Sequence, residues 1–275
     1  MTPRSSTAPS PPCRPRLQAA GPREPPALSG VHQVDTSLRI TVVAAVLNEA
    51  PNIRPVITEI AAALQALRPF EVIFVDDGST DSTLAELIAC RDLLPELRIL
   101  SHDRRCGKSA ALHTGIAAAR ARWVATIDGD GQDDPREIAP MLALAEGANG
   151  AAPLVVGVRL KRNDSFSRRF ATRFANGLRR RLLQDGCPDT GAPMKLFERD
   201  AFLRLPQFEG LHRFLPALLG TYGHPLLCYS VRHRARLHGQ SKYTNWNRAL
   251  VGLRDMIGVI WLQKRTVRPR RVTEA

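Results

Sequence analysis

The 275-residue chain carries 39 lysines and arginines against 26 acidic residues, a formal net charge of +13, and 44% of its residues are hydrophobic. That is enough apolar chain for one large core with terminal appendages, while no run approaches the roughly 20 apolar residues that a membrane-spanning helix needs. Cys13, Cys90, Cys106, Cys187 and Cys228 show no paired or metal-ligand spacing, so they indicate neither a disulfide scaffold nor a zinc site, and the expected compartment is cytosolic.

Residues 1–36 begin with Pro, Ser, Thr and Ala and hold no sustained period of 2 or 3.6. They read as a disordered tail outside the fold. The domain then opens with an apolar run over 38–47, a buried strand that leaves the sheet at Asn48, Glu49, Ala50, Pro51 and Asn52. A helix over 53–67 and a strand over 71–75 complete the start of a right-handed βαβ unit.

The second strand runs into Asp76, Asp77, Gly78, Ser79, Thr80 and Asp81, a turn followed by a helix through 83–89. A short strand at 97–100 and an Ala-rich helix over 109–121 precede the strand at 123–127. Gly107, Lys108 and Ser109 look like the end of a phosphate loop, but the Walker pattern needs glycine where His102 stands. Lys108 is therefore expected on a surface loop or as an indirect contact. The 123–127 strand ends in Asp128, Gly129, Asp130, Gly131, Gln132, Asp133 and Asp134. Strands alternating with helices define an α/β fold.

Further on, a helix from Pro135 to about 146 leads to a strand at 154–158 and the basic loop with Arg159, Lys161 and Arg162. Residues 165–184 read as an amphipathic helix, a candidate lid, with Phe166, Phe170, Phe174 and Leu178 on one face. Residues 194–197 are expected as a short edge strand, 198–205 and 210–219 as helices, and 226–231 as a strand. The polar loop that follows holds His233, Arg236, His238, Gly239, Ser241, Lys242 and Tyr243. A last helix over 245–262 repeats Trp246, Leu250, Leu253, Ile257, Ile260 and Trp261, with a basic flank to 275. It either packs on the sheet or lies at an anionic membrane surface. The resulting division is a tail at 1–36, a catalytic domain at 37–244, and a helix with basic tail at 245–275.

Two strands ending in acid, at the edge where open α/β sheets bind ligands, point to phosphate or nucleotide chemistry. Asp128 and Asp130 share one strand face, and with Gln132 they suit Mg²⁺ or Mn²⁺ held against a diphosphate. Asp76 and Asp77 can read ribose hydroxyls or a nucleobase edge. Asp133 and Asp134 are each either a general base or a helix cap, and an ionised acceptor phosphate would need no base. Arg159, Arg162, Arg236 and Lys242 suit an acceptor phosphate or a leaving diphosphate.

Taken in order, Asn48–Glu49, VDDGSTD at 75–81, Gly107–Lys108, DGDGQDDP at 128–135, the 157–164 segment, Asp189–Gly191, Arg213–Phe214 and HGQSKY at 238–243 resemble GT-A glycosyltransferases of family 2. The resemblance spans residues 38–264 and is specifically to dolichyl-phosphate mannosyltransferases and their bacterial polyprenyl-phosphate relatives. It implies a GT-A, Rossmann-like fold with a mostly parallel central sheet flanked by helices. It also implies a donor site with Asn48, Glu49, Asp76, Asp77 and Arg213, and a metal and diphosphate site with Asp128, Asp130 and Gln132. Arg159, Arg162, Arg236, Ser241 and Lys242 would surround the lipid phosphate and pyrophosphate.

The implied reaction moves a hexose, mannose favoured, from GDP-mannose or a related nucleotide sugar to polyprenyl phosphate with inversion, at the inner face of the cytoplasmic membrane. The chain departs from that pattern at Gly129 and Gly131, where added flexibility is expected, and at Asp134 and Thr190. A family 2 enzyme with a hydroxyl acceptor is the competing enzyme reading. A basic RNA-binding protein lacks the aromatic recognition signature, and no nucleic-acid partner is expected. A receiver domain fits poorly beside the second acidic strand end.

Overall fold

The structure is a computed structural model that describes residues 34–159, 179, 182–183, 185–232, 234 and 245–266, without the side chains of 245–251. Most of the expected tail, of the 165–184 helix and of the 233–244 loop lies outside these residues. So do Arg162, Arg236, Ser241 and Lys242.

Seven strands form one sheet: β1 (Ile40–Val46), β2 (Phe70–Asp76), β3 (Leu97–Ser101), β4 (Trp123–Asp128), β5 (Leu154–Arg159), β6 (Lys195–Glu198) and β7 (Leu226–Val231). Their spatial order is β3-β2-β1-β4-β6-β5-β7. The first four in that order run parallel, β6 runs antiparallel to both β4 and β5, and β7 is parallel to β5. The result is an α/β fold with a mostly parallel central sheet.

Helices α1 (Ala50–Ala63), α2 (Thr83–Ala89) and α4 (Ile138–Glu146) cover one face, and α3 (Lys108–Ala118), α5 (Arg199–Leu203), α6 (Leu215–Thr221) and α7 (Asn245–Arg265) the other. Two apolar clusters separated by the sheet follow from this arrangement. β1 feeds both, since Val42, Ala44 and Val46 enter the cluster beneath α1 and Val43 enters the one beneath α3. Its near-continuous run of Val, Ile and Ala is what a strand buried on both faces requires. A Cβ on Gly115 of α3 would come within 2.5 Å of Val43 Cγ1 and 3.0 Å of Val75 Cγ2, so glycine there lets the helix lie close on the sheet.

The 194–197 segment is not an edge strand. It forms β6 in the sheet interior, with Leu196 and Phe197 buried on opposite sides. Its shortness suggested an edge, but long-range pairing with β4 and β5 decides its place. The last helix is longer than expected, and its face is now defined. Met256 and Val259 point into the core, whereas Leu253, Ile257 and Trp261, at i, i+4 and i+8, are exposed at 49%, 61% and 61%.

Candidate active site

The parallel register aligns the acidic strand ends. Ala45 of β1 sits beside both Val75 and Asp128, and Val46 beside Asp76. One strand therefore separates the two acidic groups, a gap of about 10 Å at ordinary strand spacing. They make two compartments along one edge.

In the first compartment, the Asn48–Glu49 turn is joined to the DGSTD turn. Asn48 takes a positive φ of 51°, which asparagine tolerates better than most residues. Its Oδ1 accepts from Thr80 N at 2.7 Å, and its own N–H donates to Ser79 Oγ at 2.9 Å. Glu49 N donates to Thr83 Oγ1 at 2.9 Å, and Glu49 Oε2 accepts from Asn52 Nδ2 at 2.6 Å. Asp76 Oδ1 accepts from Ser79 N at 3.1 Å and from the Ser79 hydroxyl.

Asp77 is buried at 3% exposure and turns toward the segment after β3. Its Oδ1 accepts from Cys106 N and its Oδ2 from Gly107 N, both at 2.8 Å, and Oδ1 lies 2.9 Å from His102 Nδ1. Asp77 thus anchors the loop that starts α3. A Cβ at Gly78, whose φ is +71°, would lie 2.5 Å from the Arg104 carbonyl carbon, which fixes glycine at the crossing of these loops.

The second compartment is denser in charge. Asp130 and Asp133 are buried, whereas Asp128 is about one-third exposed. Asp133 Oδ2 accepts from Asp128 N at 2.9 Å, and Asp130 Oδ1 accepts from Gln132 N at 3.1 Å. Burial, then repulsion from Asp128, pushes Asp133 up to about 7. A Cβ at Gly129 would strike Val46 Cγ1, so the glycine expected to loosen this loop instead allows tight packing against β1.

Cations face these acids. Lys108, the first residue of α3, places its ammonium on Asp128 Oδ1. Burial opposes that charge, but attraction to Asp128, with Asp133 and Asp130 behind it, outweighs burial and holds Lys108 protonated. The residue expected on a surface loop or as an indirect contact therefore pairs directly with a carboxylate of the site. Arg159, at the end of β5, makes a bidentate pair with Asp189 at 2.7 and 2.8 Å. Burial works against its guanidinium, Asp189 overcomes it, and Asp133 and Asp128 add further attraction.

Asp134 is a cap and an ion-pair partner. It accepts from Arg136 N at 3.2 Å and pairs with the Arg136 and Arg234 guanidiniums at 2.7 Å each. The Arg136 hydrogen bonds chiefly hold its carboxyl far below the usual range, which removes it as a general base. Arg234 also donates to both Glu59 oxygens, at 3.0 and 2.8 Å. Its backbone N–H donates to Gln132 O at 3.1 Å, and its carbonyl accepts from Gln132 Nε2 at 3.2 Å. The chain at Arg234 is thereby fastened to the acid loop.

Arg213 is paired with Asp255 of α7 at 3.1 Å. The neighbouring turn is tied to α3 through Ser109 Oγ, which accepts from Gly210 N at 3.0 Å and lies 2.8 Å from His212 Nδ1. Sequence reasoning placed Asn48, Glu49, Asp76, Asp77, Asp128, Asp130, Gln132, Asp133 and Arg159 along this edge, and the structure brings them together there. It missed Lys108, His102 and Arg234. A glycine followed by lysine at a helix start was the available signal for Lys108.

A doubly covered sheet with paired acidic strand ends and facing cations defines an α/β protein whose cleft suits a metal and a phosphorylated ligand. Residues 41–205 match the glycosyl transferase family 2 model, and the chain belongs to that family of enzymes, with the GT-A fold. It is 33% identical over 248 residues to dodecaprenyl-phosphate galacturonate synthase of Rhizobium johnstonii, covering 88% of this chain and 72% of that protein. It is 32% identical to undecaprenyl-phosphate 4-deoxy-4-formamido-L-arabinose transferase of Pectobacterium carotovorum, covering 77% of this chain but 64% of the relative's length. Among solved structures, glucosyl-3-phosphoglycerate synthase of Mycobacterium tuberculosis, with Mn²⁺, UDP and phosphoglyceric acid, shares the fold at a TM-score of 0.63 and 22% identity. That likeness covers 83% of this chain and 79% of the solved one.

Proposed function

We propose that the protein transfers a sugar from a nucleotide-diphosphate donor to a polyprenyl phosphate, with inversion and with the help of Mg²⁺ or Mn²⁺. The observation that carries this reading is the juxtaposition of Asp128, Asp130 and Asp133 with Lys108 and Arg159 at one strand edge. Burial, then repulsion from Asp128, pushes Asp133 upward, and these neighbouring carboxylates are a donor set of hard oxygens that a divalent cation would relieve, so the residues fit such an ion. Held by Asp128 and Asp130, with Gln132 beside them, the ion would offset charge on the departing diphosphate.

The chain's own groups do the rest. The first compartment, with Asn48, Glu49 and Asp76, is where the donor nucleoside fits, and Asp77 shapes it through the 102–107 loop. Arg159 is oriented by Asp189 toward the acids and can hold an acceptor phosphate, whose ionised oxygen attacks the anomeric carbon without surrendering a proton. The Arg234 contacts start the 235–244 segment beside Gln132. Arg162, Arg236, Ser241 and Lys242, which lie outside the described residues, are proposed as further phosphate ligands on the strength of the sequence motifs.

The relatives named for polyprenyl-phosphate acceptors support this acceptor class. Their sugars, a galacturonate and a formamido-arabinose, set alternatives beside the mannose that the sequence motifs favour. No helix among the described residues is long and apolar enough to cross a membrane. We assign membrane contact to α7, whose exposed Leu253, Ile257 and Trp261 lie beside exposed Arg254, Lys264 and Arg265. That contact would sit at the inner face of the cytoplasmic membrane.

The test is incubation with Mn²⁺ or Mg²⁺, a panel of GDP- and UDP-sugars including GDP-mannose, and a short polyprenyl phosphate, followed by mass spectrometry of the lipid. Formation of sugar-lipid phosphate that Asp130→Asn suppresses is expected; no transfer across the panel would overturn the acceptor class. Flotation with anionic liposomes tests α7 separately. Asp133, raised to about 7, is poised as a base and favours a second reading with a hydroxyl acceptor. Full activity after Arg159→Gln would select it.

A further inference from the structure

We propose that Asp77, His102 and Cys106 form a binding site for a thiophilic divalent cation of the Zn²⁺ or Co²⁺ class, separate from the oxygen site at Asp128 and Asp130. A carboxylate oxygen, an imidazole nitrogen and a thiol sulfur of these residues all lie within 4.8 Å of one another. A tetrahedral zinc centre holds its ligands about 3.5 Å apart at ordinary Zn–S and Zn–N lengths. The Cys106 side chain is exposed and can rotate to close the difference, while Asp77 is buried and His102 intermediate, so the group opens outward.

The surrounding contacts hold the ligands in place as outer partners do in metal sites. Asp77 is fixed by the Cys106 and Gly107 N–H groups, both at 2.8 Å. His102 Nε2 lies 3.0 Å from Thr114 Oγ1 on α3. With a cation on Nδ1, the ring proton moves to Nε2 and is donated to that hydroxyl. The Nδ1–Asp77 contact at 2.9 Å then opens to admit the ion. The thiol proton is released to solvent, about one per ion bound.

Donor type sets selectivity. Sulfur and imidazole favour zinc-like ions over Mg²⁺ or Mn²⁺. Arg104 and Arg105, on the same loop, disfavour a hard cation held by charge alone. Cysteine spacing gave no hint of this group, because its ligands come from the end of β2 and from two positions after β3. Since Asp77 and its loop line the compartment assigned to the donor nucleoside, the bound ion would compete with the donor. This consequence alone rests on the proposed function.

The test is titration of the metal-free protein with Co²⁺. One equivalent is expected to produce a thiolate-to-cobalt charge-transfer absorption that Zn²⁺ abolishes and excess Mg²⁺ leaves intact. Cys106→Ser, at an exposed position, should fold normally and lack the band, and His102→Gln should weaken binding about tenfold or more. A band that persists in Cys106→Ser, or yields to Mg²⁺, would overturn the site. In transfer assays driven by Mn²⁺, micromolar Zn²⁺ should raise the donor KM of the native chain and not of Cys106→Ser; equal inhibition of both would refute the competition. The cobalt spectra need no catalysis, so failure of the site and failure of the proposed activity are separate results.

Discussion

Lys108, at the start of α3, and Asp128, at the end of β4, form an ion pair that joins the two compartments of the strand edge. Both side chains are about one-third exposed, at 33% and 31%, so the pair faces the cleft. Its worth lies in fixing charge where a diphosphate would arrive, since preorganised cations act most strongly as charge develops. Lys108→Met is expected to lower kcat by about 10²-fold with a smaller change in donor KM. Steady-state kinetics over donor concentration would check this, and an unchanged kcat would remove Lys108 from the machinery.

Asp133 predicts a pH signature. Its folded pKa, about 7, lies above its unfolded value, so the native state binds the extra proton in between. The stability this group contributes is full at low pH and is lost as pH rises through 7, with a slope of up to ~1.4 kcal/mol per pH unit. In chelator, thermal unfolding should show this decline, and Asp133→Asn should flatten it. Mn²⁺ should raise Tm more at pH 8 than at pH 6. A metal-induced gain that is the same at both values would contradict an Asp133 held protonated by burial and by Asp128.

The acids at 76–77 and 128–134 were readable from sequence because each closes an apolar strand at a glycine turn, a local pattern. The same holds for β1, β2 and β4, whose Val- and Ile-rich runs need no partner to be recognised. What sequence did not reveal depends on pairing at a distance. Lys108 finds Asp128 twenty positions on, once β4 has entered the sheet beside β1. β6 is four residues long, and only its two neighbours make it interior. The α7 repeat was visible, but the choice of buried face follows from Met256 and Val259 meeting the core.

Arg234 offers a test of the acceptor side. Its guanidinium bridges Glu59 of α1 and Asp134, and its backbone exchanges two hydrogen bonds with Gln132. Arg234→Ala removes the bridge and leaves Asp134 to Arg136 alone. The expected result is a rise of about tenfold in the KM for polyprenyl phosphate, at 1.4 kcal/mol per decade, with donor KM nearly unchanged. Arg234→Lys should recover part of the loss, because one ammonium can still reach one carboxylate. Parallel losses in both KM values would mean that Arg234 supports the fold as a whole and not the proposed acceptor side alone.

Lys195 gives a prediction independent of turnover. It lies in β6 at 3% exposure, with its ammonium bonded to the Ala192 carbonyl. Burial, then the nearby charge of Lys108, lowers it to about 8 from an ordinary 10.5. Between those values the unfolded chain holds a proton that the native chain has released, so this group makes stability rise with pH, by up to ~1.4 kcal/mol per unit. Below about 8 both states are protonated and the native state carries the full cost of a buried ammonium. Lys195→Met abolishes the titration while keeping a flexible apolar stem in the same space. In urea unfolding at pH 7.5, 8.5 and 9.5, the native chain should therefore gain on Lys195→Met as pH rises. A difference that stays flat across this range would show that the ammonium keeps its ordinary pKa and is hydrated in the native state.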